Sequence, residues 1–313
     1  MRRKSGSKNE FGGPWTEIKL DAIEYYLQCY LNAMTRTPFN LWYIDAFAGT
    51  GRRLRKRTIG GLEQNRIIET IEEEVEGSVL RALKLQPPFH HFVFIEKDPD
   101  FHAALENAVG QPVSAKVECL KGETNLVLRR EFSQDEWQGR RAARRGVVFL
   151  DPFALQVEWK TLEVLASTKA LDVWYLFPLR DVTRQLAKSY NGIGPKAPKL
   201  DSVLGPAWST DLYAFPLKEA PVQTELFDLG DTEQFAERVG DQSHIERWFK
   251  TRLELIFAHV SEPLPLFTDP SRQAFSLFLA ISNPDRSAID LATKFSGYVS
   301  KNFAPAFRHK FSR

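Results

Sequence analysis

Four carboxylates, Asp45, Glu96, Glu123 and Asp151, stand where they could hold a cationic, ribose-bearing ligand. Each ends or closely follows an apolar run rich in β-branched and aromatic residues, which reads as a buried strand. In an open parallel sheet, ligands sit beyond the carboxyl ends of the strands. The first acid opens Asp45-Ala46-Phe47-Ala48-Gly49-Thr50-Gly51, whose small residues suit a tight turn beneath a nucleotide-like ligand. Spacing excludes two common ligand motifs. No Lys-Ser or Lys-Thr follows Gly51, so the phosphate-cradling loop is absent, and Leu54 replaces the third glycine of the dinucleotide pattern.

The remaining pattern, Asp-x-Phe-x-Gly-x-Gly, resembles the first motif of S-adenosylmethionine-dependent methyltransferases. This makes Asp45, Phe47, Gly49, Gly51, Glu96 and Glu123 the candidate cofactor-binding set. Glu96 suits two ribose hydroxyls, Glu123 an exocyclic amine of adenine, and Asp45 the methionine ammonium, directly or through water. Without a ligand, the same acids would be solvated loop carboxylates or helix caps. Asp151-Pro152-Phe153 is the candidate catalytic element. Methyl transfer to an exocyclic amine needs an oxygen that aims the nitrogen lone pair at the methyl carbon, and a base out of its stack needs an aromatic surface. The segment is similar to the Asp-Pro-Pro-Tyr motif of amino methyltransferases, but Phe153 replaces the second proline and Ala154 the aromatic residue. Phe153 is the candidate stacking ring.

Two basic groups belong on the ligand side: Arg52, Arg53, Arg55, Lys56 and Arg57 after strand one, and Arg180 and Arg184 after strand five. As substrate-binding candidates, Arg52, Arg53, Arg180 and Arg184 could guide a polyanion; otherwise they are solvated loop charges. Arg140, Arg141, Arg144 and Arg145 precede strand four and belong at the opposite end. The histidines show no ligand spacing, Cys29 and Cys119 none for a metal, and no nucleophile elbow is present. No metal is expected.

The elements that must position these residues follow a regular alternation. An amphipathic helix, Trp15 to Met34, precedes strand one, Leu41 to Ala46. Strands His91–Glu96, Ala115–Leu120, Gly146–Asp151 and Leu171–Phe177 alternate with helices Ser78–Leu85, Pro99–Ala108, Asn125–Phe132 and Trp159–Ser167, with Ser78 and Thr124 as expected caps. Arg52 to Gly77 has no clean period, and the glycine- and proline-rich Asn191–Gly240 reads as an irregular insertion. A helix from His244 to His259, strands Leu264–Phe267 and Ala274–Ile281, and a helix from Asp285 to Lys301 close the chain. The expectation is an α/β fold: a doubly wound, mostly parallel seven-stranded Rossmann-like sheet of the class I methyltransferase type, closed by an antiparallel strand. Residues 1–14 and 304–313 read as tails, 15–190 and 241–303 as the two parts of the core, and 191–240 as a recognition insertion.

A chain of 313 residues with a formal charge of +2 has the composition of an ordinary globular protein. No apolar run approaches the roughly 20 residues that cross a bilayer, and no apolar segment follows the basic N-terminus as in a secretory signal. Two cysteines suit a reducing compartment, so a cytoplasmic location without membrane association is expected.

Tyr43 to Gly51, Gly77-Ser78, Phe94-Ile95-Glu96-Lys97-Asp98 and Phe149-Leu150-Asp151-Pro152-Phe153 together resemble the three-Cys-motif partner family. Trp15-Thr16-Glu17-x-Lys19 and Phe278-Leu279-Ala280-Ile281-Ser282-Asn283-Pro284 fit it too, so the resemblance spans roughly Trp15 to Lys301. It implies a class I methyltransferase-like fold, S-adenosylmethionine as cofactor, methyltransferase activity, and a partner protein that itself carries the three cysteines. Methylation of an amino group on a nucleobase or nucleoside is the expected reaction. A non-catalytic partner protein and a small-molecule methyltransferase are the alternatives. The chain departs from the family at Phe153-Ala154, where an aromatic followed by glycine is usual, and at Glu123, where a shorter aspartate is usual.

Overall fold

The computed structural model describes residues 14–60, 67–110, 115–137, 143–214, 236–269 and 272–310. Pro14–Met34 forms α1 and Asn40–Asp45 forms β1; Arg52–Gly60 (β2) and Ile67–Glu76 (β3) pair as an antiparallel ribbon outside the main sheet. Ser78–Leu83 (α2), His91–Glu96 (β4), Pro99–Val109 (α3), Lys116–Lys121 (β5), Thr124–Phe132 (α4), Arg144–Leu150 (β6), Trp159–Ser167 (α5) and Leu171–Phe177 (β7) continue the alternation. Leu179–Gln185 (α6), Ala197–Leu204 (α7), Trp208–Asp211 (α8) and the short strands Tyr213–Ala214 (β8) and Glu237–Arg238 (β9) come next. Gln242–Glu254 (α9), His259–Val260 (β10), Leu264–Asp269 (β11), Arg272–Ile281 (β12) and Arg286–Lys310 (α10) complete the described chain.

The central sheet runs β10-β12-β7-β6-β1-β4-β5, and β11 also pairs with β12. Both β10 and β11 lie on the edge of β12 away from β7, so together they act as one interrupted edge strand and the sheet is seven strands wide. β7, β6, β1, β4 and β5 are mutually parallel, whereas β12 is antiparallel to β7. This is a Rossmann-like α/β sheet with one reversed strand.

Alternation along the strands explains why both faces are covered. Phe92 and Phe94 of β4 join Tyr43, Phe149 and Leu176 in a core with Ile23, Tyr26 and Leu27 of α1 and Leu105 of α3. Val93 and Ile95 of the same strand face the other way, into a core with Leu128 of α4, Leu162 of α5 and Phe249 of α9. Two apolar cores thus enclose the sheet between them and fix which side chains reach its carboxyl edge.

Several boundaries differ from the sequence expectation. Arg52 to Gly77 is the ribbon of β2 and β3, with Arg52 opposite Glu76, Arg55 opposite Glu73 and Lys56 opposite Glu72. Its two arms are rich in arginine and glutamate by sequence, so apolar periodicity carries no trace of it. The insertion contains α7 and α8, whose Leu200, Val203, Leu204 and Trp208 are buried in the core beside α5 and α9. Pro198 lies in the first turn of α7, where its missing N–H costs nothing. The helix expected to reach His259 ends at Glu254, and His259 belongs to β10. Neither Ser78 nor Thr124 is a cap. Gly77 precedes α2 without a side-chain bond, and Glu123 caps α4 by accepting from the Leu126 N–H at 2.9 Å.

Candidate functional site

The turn after β1 takes its shape from three glycines with different tasks. Gly49 and Gly51 are both left-handed, at φ 58° and 74°, a region that favours residues without a Cβ. A Cβ built on Gly49 would meet nothing within 4 Å, so this residue faces open space. One on Gly51 would stand 3.3 Å from Leu105 of α3, and one on Gly77 would lie 2.9 Å from the Gly51 carbonyl oxygen. Gly51 and Gly77 therefore serve packing; Gly49 presents backbone to the sheet edge.

Glu96 is bound to that turn. Its carboxylate accepts from the Gly49 N–H at 3.0 Å and from the Asp98 N–H at 2.8 Å. Asp45 lies beneath. It is completely buried and accepts from the Ser78 hydroxyl at 2.5 Å and the Phe47 N–H at 3.2 Å. Burial pushes its pKa up to about 7, Ser78 opposes this, and the neighbouring Asp151 adds to it. Asp45 is thus a brace under the turn, with no face open to a ligand.

Asp151 follows β6 directly and accepts from the Lys19 ammonium of α1. Lys19 is buried, with its nitrogen 5.3 Å from the Trp15 ring centre and 5.7 Å from that of Phe149. Lys19 is not among the candidate site residues expected from sequence. Its signal is a lysine on the apolar stripe that also carries Trp15, Ile18, Ala22, Ile23 and Tyr26, where a cation needs a partner.

Glu123 accepts from the Asn125 amide at 2.8 Å as well as from the Leu126 N–H. Asn125, which is buried, is the hub of this side of the site. It also donates to the Gln156 carbonyl at 2.9 Å and accepts from the Glu158 N–H at 3.0 Å and the Thr161 hydroxyl at 2.9 Å. Both donors and both lone pairs of its amide are used. Gln156 in turn accepts from the Phe153 N–H at 2.8 Å. Asn125 and Gln156, neither singled out from sequence, therefore tie the acid after β5 to the segment that carries Phe153. Phe153 is 66% exposed, Pro152 is buried, and Ala154 is left-handed at φ 61°. Ala154 thus holds a backbone conformation that favours glycine.

The basic candidates part company. Arg53 is buried and bound to Glu17, which also takes Arg81 at 2.8 Å, so its charge is spent inside the fold. Arg52 is exposed and 3.6 Å from Glu74. Arg180 donates to the Thr268 hydroxyl at 3.2 Å, and Arg184 lies 3.1 Å from Asp181. Arg184 also lines a cavity of about 280 Å³ together with Phe153, Ala154, Gln156, Asp181 and Lys199. At the far end of the sheet, Arg144 stacks on Trp42 at 4.8 Å, while Arg140 and Arg141 lie outside the described residues. Gly49, Glu96, Glu123, Asp151 and Phe153 thus stand at the carboxyl ends of the neighbouring strands β1, β4, β5 and β6, with Asp45 below and Arg53 elsewhere.

Among the described residues, no group of three or more His, Cys, Asp or Glu side chains is placed to hold a metal, and no helix is long and apolar enough to cross a membrane. Cys29 and Cys119 are free thiols, and burial pushes Cys119 up to about 11.

No family model and no curated protein matches the chain. Protein LPL1258 from Legionella pneumophila str. Philadelphia 1, of family model DUF519, is a solved structure with 12% identity, covering 91% of this chain and 93% of its own, at a TM-score of 0.45. A likeness of that degree carries no argument about chemistry.

Proposed function

We propose that the protein is an S-adenosylmethionine-dependent methyltransferase acting on an amino group of a nucleobase or nucleoside-type substrate. The observation that carries this reading is the bond from Gly49 to Glu96: an open-sided glycine turn and a strand-end acid, locked together, with Asp151 at the end of the neighbouring strand β6. The residues fit the cofactor. A carboxylate offers about four lone-pair sites. Glu96 spends one bond each on Gly49 and Asp98 and keeps capacity for two ribose hydroxyls. Glu123 likewise keeps capacity for an adenine amine. The reversed strand β12, the arrangement expected of this enzyme class, supports the same reading.

When bound, S-adenosylmethionine supplies a methyl group on a positively charged sulfur. Asp151 accepts a hydrogen bond from the substrate amine and so directs its lone pair; Lys19 fixes the carboxylate in that orientation. Asp151 would take up the proton that the acceptor nitrogen releases on methylation, or pass it to water. Phe153 stacks the base. A cytoplasmic site of action and a partner bearing three cysteines belong to the same proposal, supported by the family resemblance and by only two free thiols here.

The test is transfer of labelled methyl to DNA, RNA and free nucleosides by the wild type and Asp151→Ala. The expected result is a labelled exocyclic amine, reduced about 100-fold or more in the variant. Normal transfer by Asp151→Ala would refute the assignment. Absence of transfer to every nucleobase would favour a small-molecule substrate or a non-catalytic partner role.

A further inference from the structure

The cavity beside Phe153 contains none of the proposed cofactor acids. It lies between the segment after β6 and helices α6 and α7, and about 280 Å³ is near the ~300 Å³ lower end of small-molecule sites. Phe153 offers an exposed aromatic face at one side. Arg184 and Lys199, both exposed, offer cationic groups at the other. Arg184 touches Asp181, but a guanidinium carries five donors, so donors remain for a second anion. Lys199 enters no ion pair with a described residue. Two cations against one carboxylate leave the lining with an excess of one positive charge. Gln156 is held by its bond to the Phe153 N–H, which together with the left-handed Ala154 fixes the aromatic residue's backbone at the cavity wall.

An aromatic face paired with an arginine and a lysine is the chemistry that recognises a base carrying a phosphate. We infer that this cavity is a subsite for the 5′- or 3′-phosphate of a nucleotide whose base stacks on Phe153, so that the methyl acceptor is a phosphorylated nucleotide unit rather than a free nucleoside. The inference rests on the methyltransferase reading for the word acceptor, but not for binding.

The experiment titrates the full chain, without S-adenosylmethionine, with the monophosphates of adenosine, cytidine and guanosine, each against its own nucleoside. A short single-stranded oligonucleotide of mixed sequence forms a further arm, and S-adenosylmethionine itself is titrated separately. At least one monophosphate is expected to bind ten-fold or more tighter than its nucleoside. Arg184→Ala/Lys199→Ala is expected to lose that difference with an unchanged unfolding midpoint, and Lys199→Arg to retain it. Tighter binding of the oligonucleotide, with a salt dependence that weakens in the double variant, would identify a nucleic-acid strand as the source of the phosphate; equal or weaker binding would identify the free nucleotide. Equal affinities for monophosphate and nucleoside, or an unaltered difference in the double variant, would overturn the subsite. Binding of S-adenosylmethionine alongside that result would leave the methyltransferase reading intact; nucleotide binding without S-adenosylmethionine binding would do the reverse.

Discussion

Asp45, Lys19 and Ala154 each hold an unfavourable local state that the surrounding fold compensates. For Asp45 the cost depends on pH. Its carboxyl titrates near 3.8 when unfolded and about 7 when folded, so the folded chain binds the extra proton between those values. The stabilising contribution is complete below about pH 4 and lost as pH rises through 7; the full span corresponds to about 4 kcal/mol. Asp172, bonded to the Tyr26 hydroxyl, is raised by burial to the same range, so the test is a difference. Urea unfolding at pH 5 and pH 8 is expected to show a smaller loss of stability for Asp45→Asn than for the wild type. Equal losses would contradict the assignment. A left-handed alanine costs about 1–2 kcal/mol, and glycine returns part of that through unfolded-state entropy. Ala154→Gly is therefore expected to be neutral or more stable by up to about 1 kcal/mol, and clear destabilisation in the same assay would contradict that. The strand-end acids were legible because apolar runs stopping at carboxylates are a local pattern. Lys19 was not, because its partner Asp151 is 132 positions away.

At the scale of elements, two junctions hold the site together. Glu17 on α1 receives both Arg53 of β2 and Arg81 of α2, and Arg81 also reaches Asp21 and Glu24. The ribbon and α2 are thereby fastened to the helix that delivers Lys19. The second junction is Asn125. Asn125→Ala is expected to cost about 2–3 kcal/mol, since it strands the Glu158 N–H and the Thr161 hydroxyl. It should also lower methyl transfer by loosening Phe153. A loss under 0.5 kcal/mol in urea, with unaltered transfer, would show that Asn125 is not the hub. Strands β1, β4 and β7 and helices α3 and α5 were readable from their apolar runs and spacing, because propensity and burial agree there. The ribbon escaped because its order lies across two strands rather than along either. The short helices α7 and α8 escaped because glycine and proline flank them closely.

At the scale of the molecule, two cores pin one sheet from both sides, so the turns that carry the site leave from strands packed on both faces. Arg184 and Lys199 are the cationic residues that line the cavity beside Phe153. The run of parallel strands and the reversed closing strand followed from the sequence because each strand keeps its own apolar run; the pairing of β2 with β3 did not. The central claim is that the turn at Gly49 and the acid at Glu96 form a living cofactor site. Calorimetric titration of the full chain with S-adenosylmethionine, with NAD in parallel, tests it most directly. The expected result is dissociation in the micromolar range, about −8 kcal/mol, for S-adenosylmethionine alone, abolished in Glu96→Ala while the fold is retained. Absence of binding to the wild type, or undiminished binding to Glu96→Ala, would contradict the account.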